Sequence, residues 1–382
     1  MNILVLNYEY PPLGAGAAPV CRDLAVEMAR QGNRVTVVTM GFGDLAEHEL
    51  ADGVEVIRLK CLRKHEHSCS PMEQLSFIIN AERFLDQFLK KCSFDVCHAH
   101  FVFPTGPVAL YVKKRYGIPF IMTAHGSDVE GHNKKLSMCI MHRLLRPAWK
   151  GIVRKAYAVT APSKHLLRLM KRNYDKNRYV LIPNGLEIDK YDASGYRKEK
   201  RILVMGRLQS FKNVQTILQA ISLLPEDIWN GWYVDILGDG PYRSELEKLS
   251  RELGINTRVG FHGWIENGTP EQLNYLKGAS IYISASHFEN CPMSVLEAMA
   301  AGCYPLLSDI EGHRQFFAKR ADVYFFKKDD TEELGDKLKV LISAAPNDIS
   351  EILTVVDYDN RNVTKKYIKL LRCASNRSDK TV

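Results

Sequence analysis

The sequence has no long hydrophobic run: nowhere do about 18 consecutive apolar residues occur, as a membrane-spanning helix requires. Its first ten residues, MNILVLNYEY, also lack the basic leader and apolar stretch of an export signal. No low-complexity tract or fixed-period repeat interrupts the 382 residues, which excludes solenoids and extended disorder. We therefore expect a globular protein in the cytoplasm, long enough to build two cores.

Cysteine pairs are absent as well. The nine cysteines are scattered as single residues, without C-x-x-C spacing or a zinc-ligand pattern. This favours reduced, buried thiols over disulfides or a structural metal site, and it agrees with a cytoplasmic location.

Acidic residues are scarce in one region. The net charge is +8, and residues 1–190 hold 27 Lys and Arg against 18 Asp and Glu. Within them, residues 113–178 hold 16 basic residues and only three acidic ones, which indicates that something anionic approaches this stretch. The basic residues that alternate there with apolar ones are Lys134, Lys135, Arg143, Arg146, Lys150, Arg154 and Lys155.

Two interpretations of this basic region stay open. A helix that mixes basic and apolar residues is typical of a surface lying on an anionic bilayer, which would place the protein peripherally on the inner face of the cell membrane. The same pattern is typical of an amphipathic core helix with a solvated face. Nucleic-acid binding is disfavoured, because no recognised nucleic-acid module accompanies the charge.

Short β-branched runs alternate with helix-period segments along both halves of the chain, as in ILVL at 3–6 and ILVMG at 202–206. Strands that alternate with helices predict parallel sheets covered on both faces, hence an α/β fold of two Rossmann-like, doubly wound domains. The predicted domains are 1–190 and 191–358, with a polar linker at the start of the second. A last helical segment lies in 359–382.

The loop after the first strand, PPLGAG, places Gly14 and Gly16 ahead of a helix that starts near Pro19. Ligands of doubly wound sheets bind beyond the carboxyl ends of the strands, where small residues let backbone N–H groups approach an anion. A nicotinamide-dinucleotide fingerprint is disfavoured, because Pro19 stands where the third glycine belongs and no acidic residue ends the second strand. The alternative is a tight turn without a ligand.

Two further loops follow predicted strands. One begins at His125, which is able to bond a sugar hydroxyl or support a developing charge, with Asp128 orienting it; the alternative is that both organise a turn. The other begins at Gly206 and carries Arg207 and Lys212. Two cations between a strand and a helix suit a diphosphate, whose charge they neutralise as it departs, whereas a solvated basic loop is the alternative.

The most informative segment runs from Ser286 to Gly302: a loop with Glu289, a proline near the helix start, a short helix with Glu297 and a glycine stop. The predicted contacts are Glu289 with a sugar, the N–H groups at the helix start with phosphate, and Glu297 with ribose hydroxyls. The residues predicted to line the helix start are Asn290, Cys291, Pro292, Met293, Ser294 and Val295.

Segment 289–297 resembles the E-x7-E motif of family 4 of the retaining glycosyltransferases, which have the GT-B fold. Further motifs resemble family signatures in the expected order along nearly the whole chain. They are the Pro-rich Gly loop at 11–16, HGSD at 125–128, PNG at 183–185, GRLxxxK at 206–212, GDGP at 238–241 and EAMAAG at 297–302.

The resemblance implies a retaining transfer of a hexose or N-acetylhexosamine from a UDP- or GDP-linked sugar, with no bound metal and no resident cofactor. The donor is expected on the C-terminal domain. The acceptor, a lipid-linked molecule or a precursor of a cell-surface glycan, is expected on the N-terminal domain, with the site between the two. By the same resemblance, Arg207 and Lys212 would stabilise the departing diphosphate, Glu289 would hold donor-sugar hydroxyls and Glu297 the ribose.

In the N-terminal domain the resemblance implies that His125 lies beside the sugar. Gly14 and Gly16 would line the cleft near donor phosphate, with Gly16 and Asp128 on the acceptor side. Family precedent also places the terminal helix, 359–382, back on the first domain.

Two positions depart from the family pattern. Asn290-Cys291-Pro292 stands where the family usually has Gly-Phe-Gly, so sugar specificity does not carry over, and the first loop reads Gly-Ala-Gly rather than Gly-Gly followed by an acid. Asp357-Tyr358-Asp359 has the D-x-D spacing of metal-dependent transferases. It lies beyond the last predicted strand, so we predict no metal site there.

Two other functions are compatible with this architecture. A nucleotide-sugar epimerase or hydrolase would consume the donor without an acceptor, and a non-catalytic subunit would use the basic face to bind a membrane or an anionic polymer. No residue can be assigned as the carboxylate nucleophile of a double displacement. Front-face attack, in which the leaving phosphate accepts the acceptor's proton, is therefore the expected mechanism, and it is inherited from the family.

Overall fold

A computed structural model describes residues 1–14, 16–66, 68–131, 136–174, 178–317, 324–344 and 354–378, with the backbone alone at 136–139, 344, 354, 355, 377 and 378. The chain divides into two compact units. Unit 1 comprises Met1–Gly185 and Asn360–Val382, and unit 2 comprises Leu186–Asp359. The division falls five residues before the boundary predicted at 190.

Unit 1 is built on an eight-stranded sheet of order β3-β4-β2-β1-β5-β6-β7-β8. Neighbouring strands are parallel except β3, which runs antiparallel to β4. The strands are β1 Asn2–Leu6, β2 Arg34–Met40, β3 His48–Ala51, β4 Val54–Leu59, β5 Val96–His100, β6 Phe120–Thr123, β7 Val159–Ala161 and β8 Tyr179–Leu181. The helices are α1 Ala17–Arg30, α2 Pro71–Phe88, α3 Thr105–Tyr116, α4 Leu136–Lys155, α5 Lys164–Asn173 and, near the end of the chain, α12 Asn360–Ser378.

Both faces of this sheet are covered, as its continuous apolar strands predict. Alternate residues of β1 show the two layers: Leu4 and Leu6 pack in one core, while Ile3 and Val5 pack in the other. Helices α2, α3, α4 and α5 contribute to the first core, and α1 and α12 to the second. The terminal helix therefore completes unit 1.

Unit 2 is built on a six-stranded parallel sheet of order β11-β10-β9-β12-β13-β14. The strands are β9 Glu199–Met205, β10 Tyr233–Leu237, β11 Val259–Gly263, β12 Ala279–Ser284, β13 Tyr304–Ser308 and β14 Phe325–Phe326. The helices are α6 Val214–Ser222, α7 Arg243–Glu252, α8 Pro270–Gly278, α9 Met293–Ala300, α10 Glu311–Arg314 and α11 Thr331–Ala344.

The same alternation covers this sheet. Ile202 and Val204 of β9 pack in a core with helices α6, α7 and α11, whereas Leu203 and Met205 pack with α8 and α9 on the other face. Two doubly wound α/β units are therefore present, as the alternating pattern of strands and helices predicts.

The PNG motif has a packing role inside unit 1. A Cβ on Gly185 would lie 2.5 Å from Oδ1 of Asn360 and 2.9 Å from its Cα, closer than real Cβ atoms approach. The Asn360 amide in turn donates to the carbonyl of Asp23 on α1, at 2.7 Å. Glycine at 185 thus makes room for the first residue of α12.

Candidate active site

The order of strands in each sheet defines where a ligand site is expected. In unit 2, β9 lies between β10 and β12, and in unit 1, β1 lies between β2 and β5. At these positions successive connections leave the sheet in opposite directions, which opens a crevice at the carboxyl ends of the two central strands. A ligand site is therefore expected at the loops that follow β9 and β12 in unit 2, and at those that follow β1 and β5 in unit 1.

Lys212 and Glu289 meet at the crevice of unit 2. Lys212 lies in the loop after β9 (the 206–213 loop) and Glu289 in the loop after β12 (the 286–292 loop). The Lys212 Nζ lies 2.5 Å from Oε1 of Glu289, and the hydroxyl of Ser286 donates to the same oxygen at 2.8 Å. Burial opposes ionisation of Glu289, but the Lys212 ammonium and its hydrogen bond hold the pKa of that carboxyl below its ordinary value.

A buried histidine, His313, connects the carboxyl ends of β12 and β13 beside the 286–292 loop. The Nδ1 of His313 lies 2.9 Å from the carbonyl of Ser308, so it carries the proton, and Nε2 accepts from the hydroxyl of Ser284 at 3.3 Å. Burial lowers the pKa of His313 to about 4 despite the negative charge of Glu289. The ring is thus neutral near pH 7, and its two nitrogens form hydrogen bonds with Ser284 and Ser308. His313 was not predicted from the sequence, because it is not part of a recognised motif.

Helix α9 begins at Met293, one residue after Pro292. The N–H groups of its first turn have no carbonyl partner within the helix, and they lie at the positive end of its dipole, where phosphate binds favourably. The side chains of Cys291 and Val295 are buried in the core of unit 2, and the Ser294 hydroxyl accepts from Tyr282 at 2.9 Å. A ligand at this helix start would therefore meet the backbone, and not the side chains, of Cys291, Ser294 and Val295.

Glu297 lies one turn further along α9 and is only 5% exposed. The amide of Gln272 on α8 donates to its Oε2 at 3.4 Å. Gln272 is itself fixed by the loop before α8, because its Oε1 accepts from the N–H of Gly268 at 2.6 Å. Glu297, which was predicted to bind the ribose, is thus oriented by Gln272 of the neighbouring helix α8. The sequence did not predict this contact.

Arg207 is exposed and forms no ion pair with any residue in the described part of the chain. The backbone beside it is tightly supported by the GDGP turn. A Cβ on Gly238 would lie 2.1 Å from the carbonyl oxygen of Gly206, and one on Gly240 would lie 2.3 Å from that of Leu208. The GDGP motif, which the sequence shares with the family, therefore packs against the 206–213 loop.

In unit 1, Gly14 and Gly16 differ in their surroundings. Gly14 has φ +97, and a Cβ there would lie 2.7 Å from Cβ of Glu9. Its N–H donates to the carbonyl of Glu66 at 2.8 Å, so the requirements of a tight turn account for this glycine. Gly16, at the cap of α1, has an ordinary φ of −51, and apart from its two chain neighbours no described residue has an atom within 4 Å of where its Cβ would be.

His125 lies in a group of rings at the carboxyl ends of β5 and β6. Its Nε2 is 3.1 Å from Nδ1 of His100, and its ring lies 4.5 Å from that of Phe101. Phe101 in turn contacts Tyr8, which follows β1, at 5.0 Å between ring centroids. Burial lowers the pKa of His125 to about 4, so this ring is neutral at physiological pH. Neutral imidazole is able to bond a hydroxyl without carrying charge.

Asp128 organises the loop that carries His125. Its Oδ1 accepts from the N–H groups of His125 and Gly126 at 3.0 and 2.8 Å, and its Oδ2 accepts from that of Val102 at 2.6 Å. The side chain is buried, and burial raises the pKa of the carboxyl although these bonds oppose the shift. The alternative stated for this residue, that it organises a turn, accounts for the contacts with His125 and Gly126, and the third contact joins that turn to Val102 after β5.

Phe101 is a further residue that sequence reasoning missed. It has φ +73, which is unusual for a residue with a side chain, and such strain concentrates at functional sites. Its carbonyl accepts from the hydroxyl of Thr105 at 2.7 Å. A recognisable signal was its position directly after β5, the strand beside β1 at the crevice.

No group of three or more His, Cys, Asp or Glu side chains suited to a metal ion occurs among the described residues. Asp359 of the D-x-D sequence is buried and pairs as an isolated bridge with Leu186. In the part of the chain that the structure describes, every helix is too short or too polar to cross a bilayer.

Comparisons with known proteins agree with this architecture. Residues 14–190 match the family described as Glycosyltransferase Family 4, and residues 188–351 match Glycosyl transferases group 1. Alpha-monoglucosyldiacylglycerol synthase of Streptococcus pneumoniae is 24% identical over 79% of this chain and 70% of its own length. The GDP-mannose:cellobiosyl-diphosphopolyprenol alpha-mannosyltransferase of Xanthomonas campestris is 23% identical over 95% of this chain and 94% of its own.

The fold is likewise shared with solved structures. Anabaena Alr3699/HepE, crystallised with UDP and glucose, superposes with a TM-score of 0.70 at 16% identity, covering 98% of this chain and 100% of that one. Two α/β units with parallel sheets and such neighbours define the GT-B fold of glycosyltransferases. With both halves matched, the chain belongs to glycosyltransferase family 4.

Proposed function

We propose that the protein transfers a hexose or N-acetylhexosamine from a UDP- or GDP-linked donor, held by unit 2, to a lipid-linked acceptor. The observation that carries this proposal is the pair of Lys212 and Glu289 at the crevice between β9 and β12, with the start of α9 directly after it. A cation, a carboxylate and helix N–H groups at one sheet edge suit a diphosphate joined to a sugar. In the proposed roles Arg207 and Lys212 bind diphosphate, Glu289 the sugar and Glu297 the ribose.

The acceptor class is proposed from the two relatives. One is named for making a glycosylated diacylglycerol and the other for mannosylating a diphosphopolyprenol-linked sugar. Both acceptors carry a lipid, and the excess of basic residues at 113–178 suits a phosphate-bearing molecule or an anionic surface. In unit 1, neutral His125 and the open position at Gly16 are the groups we propose beside the acceptor and the donor phosphate.

For the chemistry we propose front-face attack without a metal ion. The bond between the anomeric carbon and the phosphate oxygen breaks, and the acceptor oxygen bonds to that carbon on the same face. The acceptor's proton passes to the departing phosphate oxygen, and the nucleoside diphosphate leaves. Glu289 is engaged with Lys212, and Glu297 with Gln272, which argues against either acting as a nucleophile. Arg207 and Lys212 supply positive charge where the phosphate becomes more negative.

A thermal-shift screen against UDP, GDP, ADP, dTDP and their sugar conjugates tests the donor site. A ligand at 100 times its Kd adds about 2.7 kcal/mol to the free energy of unfolding, so the nucleotides of one base should raise the melting temperature more than the others. Glu297→Ala and Arg207→Ala should abolish the shift, whereas Lys339→Ala, at an exposed position of α11, should keep it. The absence of a shift with every nucleotide at millimolar concentration would contradict the donor site.

NMR of the first product tests the proposed stereochemistry. The new glycosidic bond should keep the anomeric configuration of the donor, and an inverted configuration would contradict front-face attack.

Helix α4 supports a peripheral position on the membrane. Its inner face packs into the core through Trp149, Ile152 and Val153, which are at most 4% exposed, as expected for an amphipathic core helix. Its outer face exposes Ile140 by 52% and Leu144 by 75%. Exposed apolar side chains among basic residues suit an anionic bilayer surface. Lys134 and Lys135, assigned to the same basic region, lie outside the described residues.

Flotation with vesicles that contain phosphatidylglycerol tests this position. The double variant Arg143→Glu/Arg154→Glu should bind about 30-fold more weakly, because each basic residue near an anionic surface contributes about 1 kcal/mol. Lys248→Glu/Lys339→Glu, exposed positions of unit 2, changes the net charge equally and should leave binding unchanged. Equal losses in both variants would show that total charge, and not the α4 surface, governs binding.

A further inference from the structure

An arginine with a fully buried side chain joins two loops at the carboxyl edge of the sheet in unit 1. Arg63 lies in the loop after β4 (residues 60–66), and its side chain is 0% exposed. Its Nη1 donates at 3.3 Å to the carbonyl oxygen of Tyr8, which follows β1. Its Nη2 and Nε donate to the carbonyls of Glu66 and His65, at 2.8 and 3.0 Å. Each guanidinium nitrogen therefore binds a backbone carbonyl.

The order of the strands explains why a long side chain is needed here. Strand β2 lies between β4 and β1. Neighbouring strands are about 4.8 Å apart, so the ends of β4 and β1 are separated by about 10 Å. The guanidinium crosses the end of β2, where Nη1 of Arg63 lies 3.5 Å from Sδ of Met40. Arginine combines this reach with donors on three nitrogens, whereas lysine has all its donors on one.

The buried positive charge of Arg63 favours one position of the segment after β1 (the 8–14 segment). Oε1 of Glu9 lies 4.0 Å from Nη2 of Arg63, and the Glu9 side chain is only 12% exposed. A charge removed from water is unfavourable unless it is paired and hydrogen-bonded. A shift of the 8–14 segment away from Arg63 would remove both the carboxylate of Glu9 and the carbonyl of Tyr8 from the guanidinium.

The same contacts reach the turn ahead of α1. The Glu66 carbonyl that accepts from Arg63 also accepts from the N–H of Gly14, at 2.8 Å. Gly14 lies directly against Glu9, since a Cβ at Gly14 would come within 2.9 Å of Oε2 of that residue. Arg63 therefore holds the turn from two sides, through Glu66 and through Glu9. Gly16 follows at the cap of α1.

Tyr8 extends these contacts towards His125. The Tyr8 ring is 5.0 Å from that of Phe101, which in turn is 4.5 Å from that of His125. Tyr8 is only 6% exposed, and its carbonyl is the one that Arg63 binds. Because protein interiors are closely packed, a displacement of the Tyr8 backbone moves the rings that support His125.

We propose that Arg63 is a positioning residue for the acceptor side of the site. It holds the Gly14 turn ahead of Gly16, and it holds Tyr8 beside the rings that support His125. Both groups proposed beside the acceptor thus depend on one arginine. The nucleotide contacts proposed in unit 2 do not pass through Arg63, so its loss affects the acceptor and spares the nucleotide. This inference rests on the proposed function.

Acceptor kinetics and nucleotide calorimetry on the same variants test this role. The acceptor probes are dioctanoylglycerol and glucose joined through a diphosphate to farnesol, both in detergent micelles. In Arg63→Met, kcat/KM for the acceptor should fall about 100-fold, the effect of misplacing a group by about 1 Å, while the Kd of UDP or GDP changes less than about twofold. Arg63→Lys keeps the charge but not the three nitrogens, and it should lose about tenfold, mainly through KM.

Arg258→Met is the matched control in unit 2. The Arg258 side chain is 24% exposed, pairs with Glu226 and lies 5.1 Å from the ring centre of Trp229, at the start of β11. Its loss should lower the free energy of unfolding and leave acceptor kinetics unchanged at a temperature where all variants are folded. If Arg63→Met does not fold, Arg63→Lys supplies the comparison.

Equal losses of acceptor kcat/KM and nucleotide affinity in the Arg63 variants would overturn the inference, because they would indicate a general structural role. Unchanged acceptor kinetics in both variants would overturn it as well. If the wild type glycosylates neither probe, release of the donor sugar to water is measured in place of transfer, and the same order of variants is expected. A wild type that binds neither UDP nor GDP would instead contradict the proposed function.

Discussion

Replacement of Lys212 by methionine is expected to lower kcat/KM by about 10²–10³-fold, the usual cost of removing one group that stabilises charge in the transition state. It should also lower the free energy of unfolding at pH 7 by about 3 kcal/mol, because it leaves a buried carboxylate without its cation. The Glu289 side chain is only 13% exposed, and Lys212 Nζ lies 2.5 Å from it. Steady-state kinetics and chemical denaturation measure the two effects.

The loss of stability should depend on pH with a defined sign. In the wild type the pKa of Glu289 lies below its ordinary value of 4.5, so the ion pair stabilises the fold fully above that pH and less as the pH falls through the folded-state pKa. Without Lys212 the effect of burial on Glu289 prevails and raises its pKa. The variant should therefore gain stability relative to wild type as the pH falls from 7 towards 5.

A second substitution separates stability from catalysis. In Lys212→Met/Glu289→Gln the buried group is neutral and needs no cation, so the free energy of unfolding should return to within about 1 kcal/mol of wild type. Activity should stay low, because neither the cation nor the carboxylate is restored. If Lys212→Met alone is as stable as wild type at pH 7, the ion pair is contradicted. If it lowers kcat/KM by less than tenfold, the role of Lys212 is contradicted.

Gly238→Ala is expected to reduce kcat/KM by about 100-fold, because the new Cβ must displace the backbone that presents Arg207. That Cβ would lie 2.1 Å from the carbonyl oxygen of Gly206, and Gly238 has φ +137, which L-residues rarely adopt. Strain and overpacking together should cost about 3 kcal/mol of unfolding free energy. Enzyme kinetics, nucleotide titration and denaturation should all report the change.

Gly335→Ala is the matched control for this variant. Gly335 lies within α11, has no positive φ, and its Cβ would come no closer than 3.4 Å, to the carbonyl of Ala220. Alanine should stabilise the helix by about 0.5–1 kcal/mol and leave kinetics unchanged. If Gly238→Ala behaves like this control, the GDGP turn does not support the 206–213 loop as described.

The loops of unit 2 were predictable because each follows a strand whose hydrophobic pattern is unmistakable. Once β9 and β12 are assigned, Lys212 and Glu289 must lie at the same edge of one parallel sheet. The lysine side chain is long enough to contact the carboxylate from there. The resemblance to the family added the roles. Strand β3 escaped prediction because HELA is short, half polar and antiparallel, so it has none of the buried parallel pattern.

The residues that support the loops were not predictable in the same way. Gln272 and Arg63 act on segments 25 and 55 residues away in the chain, and no local pattern encodes such an approach. Asp128 shows the converse. A carboxylate after a strand suggests chemistry, yet its contacts are three backbone N–H groups that only the folded loop brings together.

Because α12 packs on unit 1, this unit is the first to begin synthesis but the second to be completed. Val363, Tyr367 and Leu371 are at most 4% exposed and pack with Ile3 and Val5, near the opposite end of the chain. Unit 2 is continuous in sequence, so all its strands have left the ribosome before α12 does. The first unit to emerge is therefore the last to be completed, and until then the part of its second sheet face that α12 covers is exposed to chaperones or to other chains.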